Sequence, residues 1–160
     1  MLTLGIDPGT ATTGYGLLLE QGDRLVHLDH GIISTSKNDA PQVRLRIIYT
    51  ELKRLIAKHK PEAIAVEKLF FGVNAKTAIA VGQARGMSLL AAAEMKIPVA
   101  EYTPLQVKMA VTGYGKADKL QVQQMIKTLL ALSEIPKPDD AADALAVALC
   151  HLNSYKIMSL

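Results

Sequence analysis

Four acidic residues that lie far apart in the sequence are the strongest candidates for chemistry. Asp7 ends a first apolar run, Glu67 ends a second, and Asp140 and Asp143 lie in an alanine-rich segment late in the chain. Hard divalent cations such as Mg²⁺ or Mn²⁺ prefer oxygen ligands, and crowded carboxylates repel one another unless a cation neutralises them. The pattern therefore predicts metal-assisted chemistry on an anionic substrate, provided that folding brings these side chains together.

The spacing of Asp140 and Asp143 favours a shared role. Three residues apart on a helix, they project from one face, and the alanines between them let that helix approach a sheet closely. A carboxylate one turn inside a helix of Ala, Leu and Val is costly to bury without a cation. Asp139 is different, because an acidic residue at the start of a helix commonly caps the N-terminus and needs no metal.

Asp7 and Glu67 also allow ordinary structural explanations. Glu67 follows the four apolar residues 63–66, so it is either an exposed strand end or a metal ligand, and the sequence leaves both open. Asp7 begins an Asp-Pro-Gly-Thr turn whose backbone amides can approach a phosphate, although Asp also starts turns that bind nothing. Similar turns occur in the phosphate loops of actin-like ATPases and sugar kinases, which gives a rival interpretation.

Composition and charge narrow the class of protein. The 160 residues are 49% hydrophobic and 21% charged, which predicts one folded domain over residues 1–160 with an ample core. The net charge of +3 is compatible with a polyanionic partner but does not by itself indicate one. Cys150 is the single cysteine, and the sequence shows neither a signal peptide nor an apolar run of the roughly 18 residues that span a bilayer. We therefore expect a cytoplasmic protein with no membrane partner.

The hydrophobic pattern predicts three strands, followed by helices that alternate with two further strands. The first helix is long enough for a right-handed crossover, so the fourth strand is expected parallel to the first, about 4.8 Å away. The predicted fold is α/β, with a mixed five-stranded sheet, three antiparallel strands then two parallel ones, and helices on both faces. The predicted strands are 2–6, 14–19, 24–34, 63–67 and 97–100, and the predicted helices are 41–60, 74–96, one that begins at Thr103-Pro104, 116–132 and about 139–153.

Several short motifs follow one another along almost the whole chain, from Met1 to about His151. The motifs are Gly5–Thr10 with Gly14–Gly16, Glu67–Phe70, Gly82–Gly86, Lys116–Lys119 and Asp140–Ala146. This ordered set resembles the RuvC family of Holliday junction resolvases, and it is far more specific than any single motif.

The resemblance implies a ribonuclease H-like fold and a homodimer that cuts four-way DNA junctions with Mg²⁺. Two metals would hold the scissile phosphate, generate hydroxide from a bound water and stabilise the departing 3′ oxygen, which leaves a 5′ phosphate; Mn²⁺ is a possible substitute. A branch-migration complex is a partner implied by the resemblance alone. The residues that match the family's acidic catalytic positions are Asp7, Glu67, Asp140 and Asp143.

Basic and aromatic residues are the candidates for DNA contact. Lys108 and Lys119 match basic family positions near the cut DNA, where a cation neutralises a phosphate or stabilises the transition state; without that match they read as solvated helix lysines. Phe70 matches a family aromatic and can stack on an unpaired base at a junction. The weaker candidates for contact with the DNA backbone are Lys76, Arg85 and Lys116.

The predicted helix 74–96 has apolar residues on more than one face, which indicates either burial within one chain or a surface covered by a second copy.

Three other functions share features with this sequence. An actin-like ATPase needs a second phosphate loop and an adenosine pocket, for which the chain is too short, and a noncatalytic DNA-binding module is expected to lack an acidic ligand. Another ribonuclease H-like nuclease would use the same metal chemistry and would differ only in how it binds its substrate. The regions around Lys119 and Phe70 favour a four-way junction as the substrate.

Overall fold

A single mixed sheet organises the chain, and its order follows from how the strands are connected. The protein is represented by a computed structural model that describes residues 1–69 and 75–158. The first three strands form an antiparallel meander, and the other two extend the sheet in parallel from the opposite side of the first strand. The sheet order is β3-β2-β1-β4-β5. The strands are β1 (Leu2–Asp7), β2 (Thr12–Gln21), β3 (Arg24–Ser34), β4 (Ala63–Glu67) and β5 (Val99–Tyr102).

Helices cover both faces of this sheet, as the sequence predicted. Two of them pack on one face, against Leu4, Ile64 and Val66, and the other three pack on the opposite face, against Leu18 and Ala65. The first pair is α1 (Pro41–His59) and α2 (Ala75–Glu94). The other three are α3 (Pro104–Thr112), α4 (Lys119–Leu129) and α5 (Asp139–Met158).

Helix α5 lies almost in contact with the backbone of β1 and β2. A Cβ atom added at Gly5 would be 2.0 Å from the carbonyl oxygen of Ala144, and one added at Gly14 would be 1.9 Å from that of Asp140. Any side chain at these strand positions would push the helix away. The absence of side chains at Gly5 and Gly14 therefore sets the height of α5 above the strands.

Local capping explains where α3 and α4 begin. Thr103 and Gln106 form a capping box at the start of α3, and Asp118 and Gln121 form one at the start of α4. Because Thr103 directly follows β5, which runs parallel to β4, α3 begins at the edge of the sheet where these two strands end. Lys119 is the first residue of α4 and therefore follows directly from the Asp118 cap.

Some predicted boundaries were wrong. The fifth strand is Val99–Tyr102 rather than 97–100, because Ile97 still belongs to the turn after α2, where its N–H donates to the carbonyl of Ala92. The fourth helix starts at Lys119 rather than 116, since Asp118 caps it, and ends at Leu129. The second strand and the last helix are longer than predicted, Thr12–Gln21 and Asp139–Met158. Among the helices of the described residues, none has the length and apolar character needed to cross a bilayer.

Candidate active site

Three structural elements bring the predicted carboxylates together. Ile6 and Val66 are paired in the parallel β1/β4 ladder, so the residues that follow them, Asp7 and Glu67, leave neighbouring strands at the same edge. Helix α5 contributes Asp140 and Asp143 from above that edge. Carboxylate oxygens of Asp7, Asp140 and Asp143 all lie within 4.8 Å of one another, and Glu67 shares a hydrogen bond with Asp7.

The electrostatics of this cluster are unfavourable without a cation. Burial, together with the charges of Glu67, Asp143 and Asp140, raises the pKa of Asp7 to about 8, and the charge of Lys119 opposes this shift. Burial also raises the pKa values of Glu67 and Asp143. Half-buried carboxylates that repel one another are suitable ligands for a hard divalent cation. Such a cation would coordinate their oxygens and stabilise their ionised forms.

Two lysines border the carboxylates. The Lys119 Nζ atom lies 3.0 Å from Oδ2 of Asp143 and 3.4 Å from Oδ2 of Asp139, so it partly neutralises the α5 end of the cluster. Lys108, on α3, lines the same pocket as Glu67, and its charge opposes the rise in the Glu67 pKa. Both lysines are therefore placed where an anionic substrate would meet the carboxylates.

The structure adds one residue that the sequence interpretation missed. The Thr12 hydroxyl donates a hydrogen bond to Oδ2 of Asp140, which fixes the orientation of that carboxylate. The signal was its place at the start of β2, shortly after the turn that Asp7 begins, but nothing local distinguishes Thr12 from its neighbour Thr13, whose hydroxyl donates to the carbonyl of Gly9.

The remaining predicted contacts have different outcomes. The Arg85 guanidinium forms an ion pair with Glu101 on β5, and its contact with the DNA backbone stays a prediction. Lys116 is exposed just before α4, as a backbone contact requires. Phe70 and the side chain of Lys76 lie outside the described residues.

The raised pKa of Asp7 predicts how the stability of the metal-free protein depends on pH. In the unfolded chain Asp7 ionises near its ordinary value of 3.8, whereas in the folded protein it keeps its proton up to about pH 8. Its contribution to folding stability is therefore fully present below about pH 4 and is lost as the pH rises toward 8. Thermal unfolding in EDTA is expected to show the melting temperature falling across this interval.

The matched control is Asp7→Asn, which keeps the size and removes the ionisable group. Its melting temperature in EDTA should fall less between pH 5 and pH 8, and at pH 8 it should exceed that of the unsubstituted protein. Parallel pH profiles for the two proteins would show that Asp7 is not held in its protonated form.

The fold and the site together define a class of protein. A mixed sheet in the order β3-β2-β1-β4-β5 carries carboxylates at the ends of its first and fourth strands and on the last helix. Hard oxygen ligands beside basic side chains suit phosphodiester hydrolysis with divalent cations. The chain is a metal-dependent nuclease of the ribonuclease H-like class.

Comparison with known proteins identifies the family. The family model described as Crossover junction endodeoxyribonuclease RuvC matches residues 3–151. The chain therefore belongs to the RuvC family of crossover junction endodeoxyribonucleases, as the sequence motifs indicated. This membership decides against the actin-like ATPase interpretation.

Individual relatives agree over nearly the full length. The crossover junction endodeoxyribonuclease RuvC of Pelotomaculum thermopropionicum is 55% identical over 155 residues, which cover 97% of this chain and 94% of the relative. That of Desulforamulus reducens is 58% identical over 151 residues, or 94% and 93% of the two chains. The structure of Thermus thermophilus RuvC in complex with a Holliday junction substrate superposes with a TM-score of 0.94 at 36% identity, covering 99% of this chain and 97% of that chain.

A more distant structure supports the fold alone. The yeast mitochondrial Holliday junction resolvase Ydc2 matches with a TM-score of 0.69 at 14% identity, over 99% of this chain and 84% of that chain. The ribonuclease H-like fold predicted from the sequence is confirmed by the family match and by the Thermus thermophilus RuvC structure.

Proposed function

We propose that this junction-resolving endonuclease binds two Mg²⁺ ions through four carboxylates and uses them to cut four-way DNA junctions by paired symmetric incisions. The observation that carries the proposal is the convergence of three carboxylate oxygens within 4.8 Å, next to a fourth carboxylate and two lysines. When bound, the cations would lower the pKa of a nucleophilic water and stabilise charge on the scissile phosphate and the leaving 3′ oxygen. Mn²⁺ meets the same ligand requirements. The proposed ligands are Asp7, Glu67, Asp140 and Asp143.

The side chains around the carboxylates have separate tasks in this proposal. Thr12 holds the Asp140 carboxylate by its hydrogen bond. Lys119 pairs with Asp143 in the metal-free protein, and a cation on Asp143 would compete for that carboxylate, leaving the Lys119 ammonium to contact a phosphate. Lys108 lines the same pocket as Glu67, and its charge acts on that carboxylate. Phe70, Lys76 and Lys116 are proposed to contact the junction around this centre.

The test of this function is cleavage of a synthetic four-way junction with labelled strands. With Mg²⁺, nicks at symmetric positions on two opposing strands and ends carrying 5′ phosphates are expected, and EDTA should abolish them. A linear duplex of the same sequence serves as the control substrate. Equal cutting of the duplex would contradict selectivity for the junction, and cutting in EDTA would contradict the metal mechanism.

We also propose that the enzyme is a homodimer whose subunits meet along α2. The side chains of Ile79 and Leu90 on this helix are 66% and 45% exposed. A Cβ atom added at Gly86 would have no neighbour within 4 Å in the part of the chain that the structure describes, so the helix is flat enough there for close approach by a second helix. A twofold axis at this surface would repeat the active site, as paired incisions require. The branch-migration complex and the cytoplasmic location remain predictions from the sequence.

A charge on α2 is expected to break the dimer. Leu90→Lys should convert the dimer to a monomer in size-exclusion chromatography with light scattering, because a lysine ammonium cannot be buried at an apolar twofold contact. Paired incision should then become two uncoupled nicks. Leu129→Lys on α4, where the leucine is 43% exposed, is the matched control and should leave the mass unchanged. Equal masses for the two variants would place the interface elsewhere.

A further inference from the structure

A pocket of about 200 Å³ opens beside the proposed metal ligands. Two of its lining residues, Glu67 and Asp143, belong to the carboxylate cluster, and Lys108 and Lys119 also line it. A phosphodiester strand with a phosphate bound at the carboxylates would therefore pass next to this pocket. The rest of the pocket is lined by apolar side chains.

The floor of the pocket is apolar and comes from three helices. Val107 on α3 and Val122 on α4 are each 6% exposed, and Ala146 on α5 is 1% exposed. The backbone N–H groups of Val107 and Val122 donate to Thr103 and Asp118 within their helices. Among the described residues that line the floor, no side chain offers a hydrogen bond donor or acceptor.

We propose that this pocket receives the deoxyribose of a nucleotide next to the scissile phosphate and thereby selects deoxyribose over ribose at that position. The inference rests on the proposed nuclease function and assigns a sugar subsite to it. A deoxyribose in a strand is an apolar ring flanked by two phosphates, which matches a pocket lined both by apolar side chains and by Lys108 and Lys119. A base fits this pocket less well, because its polar edge would lose hydrogen bonds to water and find no partner on the floor.

The selectivity follows from the 2′-hydroxyl. A ribose would bring this hydroxyl against Val107, Val122 or Ala146, where it would be removed from water and left without a partner. Apolar pockets reject a ligand that carries one extra hydroxyl by up to about a hundredfold. One ribonucleotide at the sensitive position should therefore slow cleavage by about ten- to a hundredfold.

The experiment compares single-turnover cleavage of synthetic four-way junctions that differ in one sugar. One is all DNA, two carry a single ribonucleotide on the 5′ or the 3′ side of the cleavage site, and a control carries it in an uncut arm. We expect one flanking ribonucleotide to slow cleavage and the uncut-arm control to match all-DNA. Equal rates for the all-DNA junction and both flanking ribonucleotides would overturn the sugar subsite, whereas an uncut all-DNA junction would overturn the proposed function itself.

Variants of the floor identify the pocket as the origin of the effect. Val122→Thr and Val107→Thr each exchange one methyl group for a hydroxyl that can pair with the ribose, so at least one should bring the ratio of DNA to ribonucleotide rates close to one. Thermal unfolding checks that each variant is folded, and the ratio is compared within each variant, so a general loss of activity cancels. The assignment would be overturned if this ratio kept its original value in both variants. It would also be overturned if the ratio changed with the identity of the base and not with the sugar.

Junction affinity gives a second readout that does not require cleavage. Asp7→Asn is expected to bind junctions without cutting them, so dissociation constants for the all-DNA and ribonucleotide junctions can be compared directly. The sensitive ribonucleotide should weaken binding by a factor similar to its effect on cleavage, because the hydroxyl is already buried in the bound state. Identical affinities would contradict a sugar that is bound in the pocket before reaction.

Discussion

Asp7→Asn is expected to reduce junction cleavage by about a thousandfold or more while junction binding is retained. Asp7 is the carboxylate at which the others converge, since Glu67 shares a hydrogen bond with it and the oxygens of Asp140 and Asp143 lie within 4.8 Å of its own. An amide keeps the size but removes the negative charge that a divalent cation needs, and a loss of about 4 kcal/mol in transition-state stabilisation corresponds to a thousandfold. Single-turnover cleavage and a gel-shift assay in Ca²⁺ measure the two effects.

The control for this prediction is Asp139→Asn, which makes the same chemical change four residues before Asp143 on α5. Asp139 is 61% exposed and is not part of the group whose oxygens converge, although it lies 3.4 Å from Lys119. Cleavage by this variant should stay within about threefold of the unsubstituted enzyme, because exposed ion pairs contribute little. A comparable loss in both variants would mean that the general charge of this surface, and not metal ligation, controls the rate.

The sequence predicted the sheet because hydrophobic patterning is a local signal. Residues 63–66 are all apolar and lack a solvated face, which indicated an internal strand, and β4 indeed lies between β1 and β5. The long first helix made a parallel crossover the simplest connection, so Asp7 and Glu67 were expected at one edge. This placement is confirmed by the pairing of Ile6 with Val66.

Other features depend on contacts between distant segments, which local patterns do not encode. Thr12 becomes a partner of Asp140 only because α5 crosses the end of β2, 128 positions later in the sequence. Arg85 was a candidate for DNA contact, and its ion pair with Glu101 became visible only once β5 was placed beside it. The start of β5 was misplaced because Ile97 is apolar and suits a strand, yet the turn after α2 extends through it.

The glycines of β1 and β2 were identified from the sequence as motif residues, but only the structure shows their physical role, which is to allow the close approach of α5. Gly14 lies opposite Asp7 in the β1/β2 ladder, and the backbone of Asp140 passes directly over it. The distance between these two carboxylates is therefore set by the absence of a side chain at Gly14. Gly14 therefore affects both the packing of α5 on the sheet and the geometry of the catalytic carboxylates.

Gly14→Ala is consequently expected to impair both stability and cleavage. The added Cβ would be 1.9 Å from the Asp140 carbonyl oxygen and 3.1 Å from its Cβ, so the first turn of α5 has to move. Overpacking of this kind destabilises proteins by about 1–3 kcal/mol, and misplacing a catalytic group by about 1 Å costs roughly a hundredfold in rate. Urea unfolding and single-turnover cleavage, measured on the same preparation, would report the two losses.

Gly82→Ala provides the matched control, because among residues 1–69 and 75–158 the same methyl group meets only Leu69, at an ordinary contact distance of 3.7 Å. Alanine also suits the middle of a helix better than glycine, so this variant should be as stable as the unsubstituted protein or more stable by up to about 1 kcal/mol. If Gly14→Ala cleaved junctions normally, α5 would have to tolerate displacement without moving Asp140 relative to Asp7. The ligands would then be positioned by the flexibility of their side chains, and the close contact between α5 and the sheet would serve stability alone.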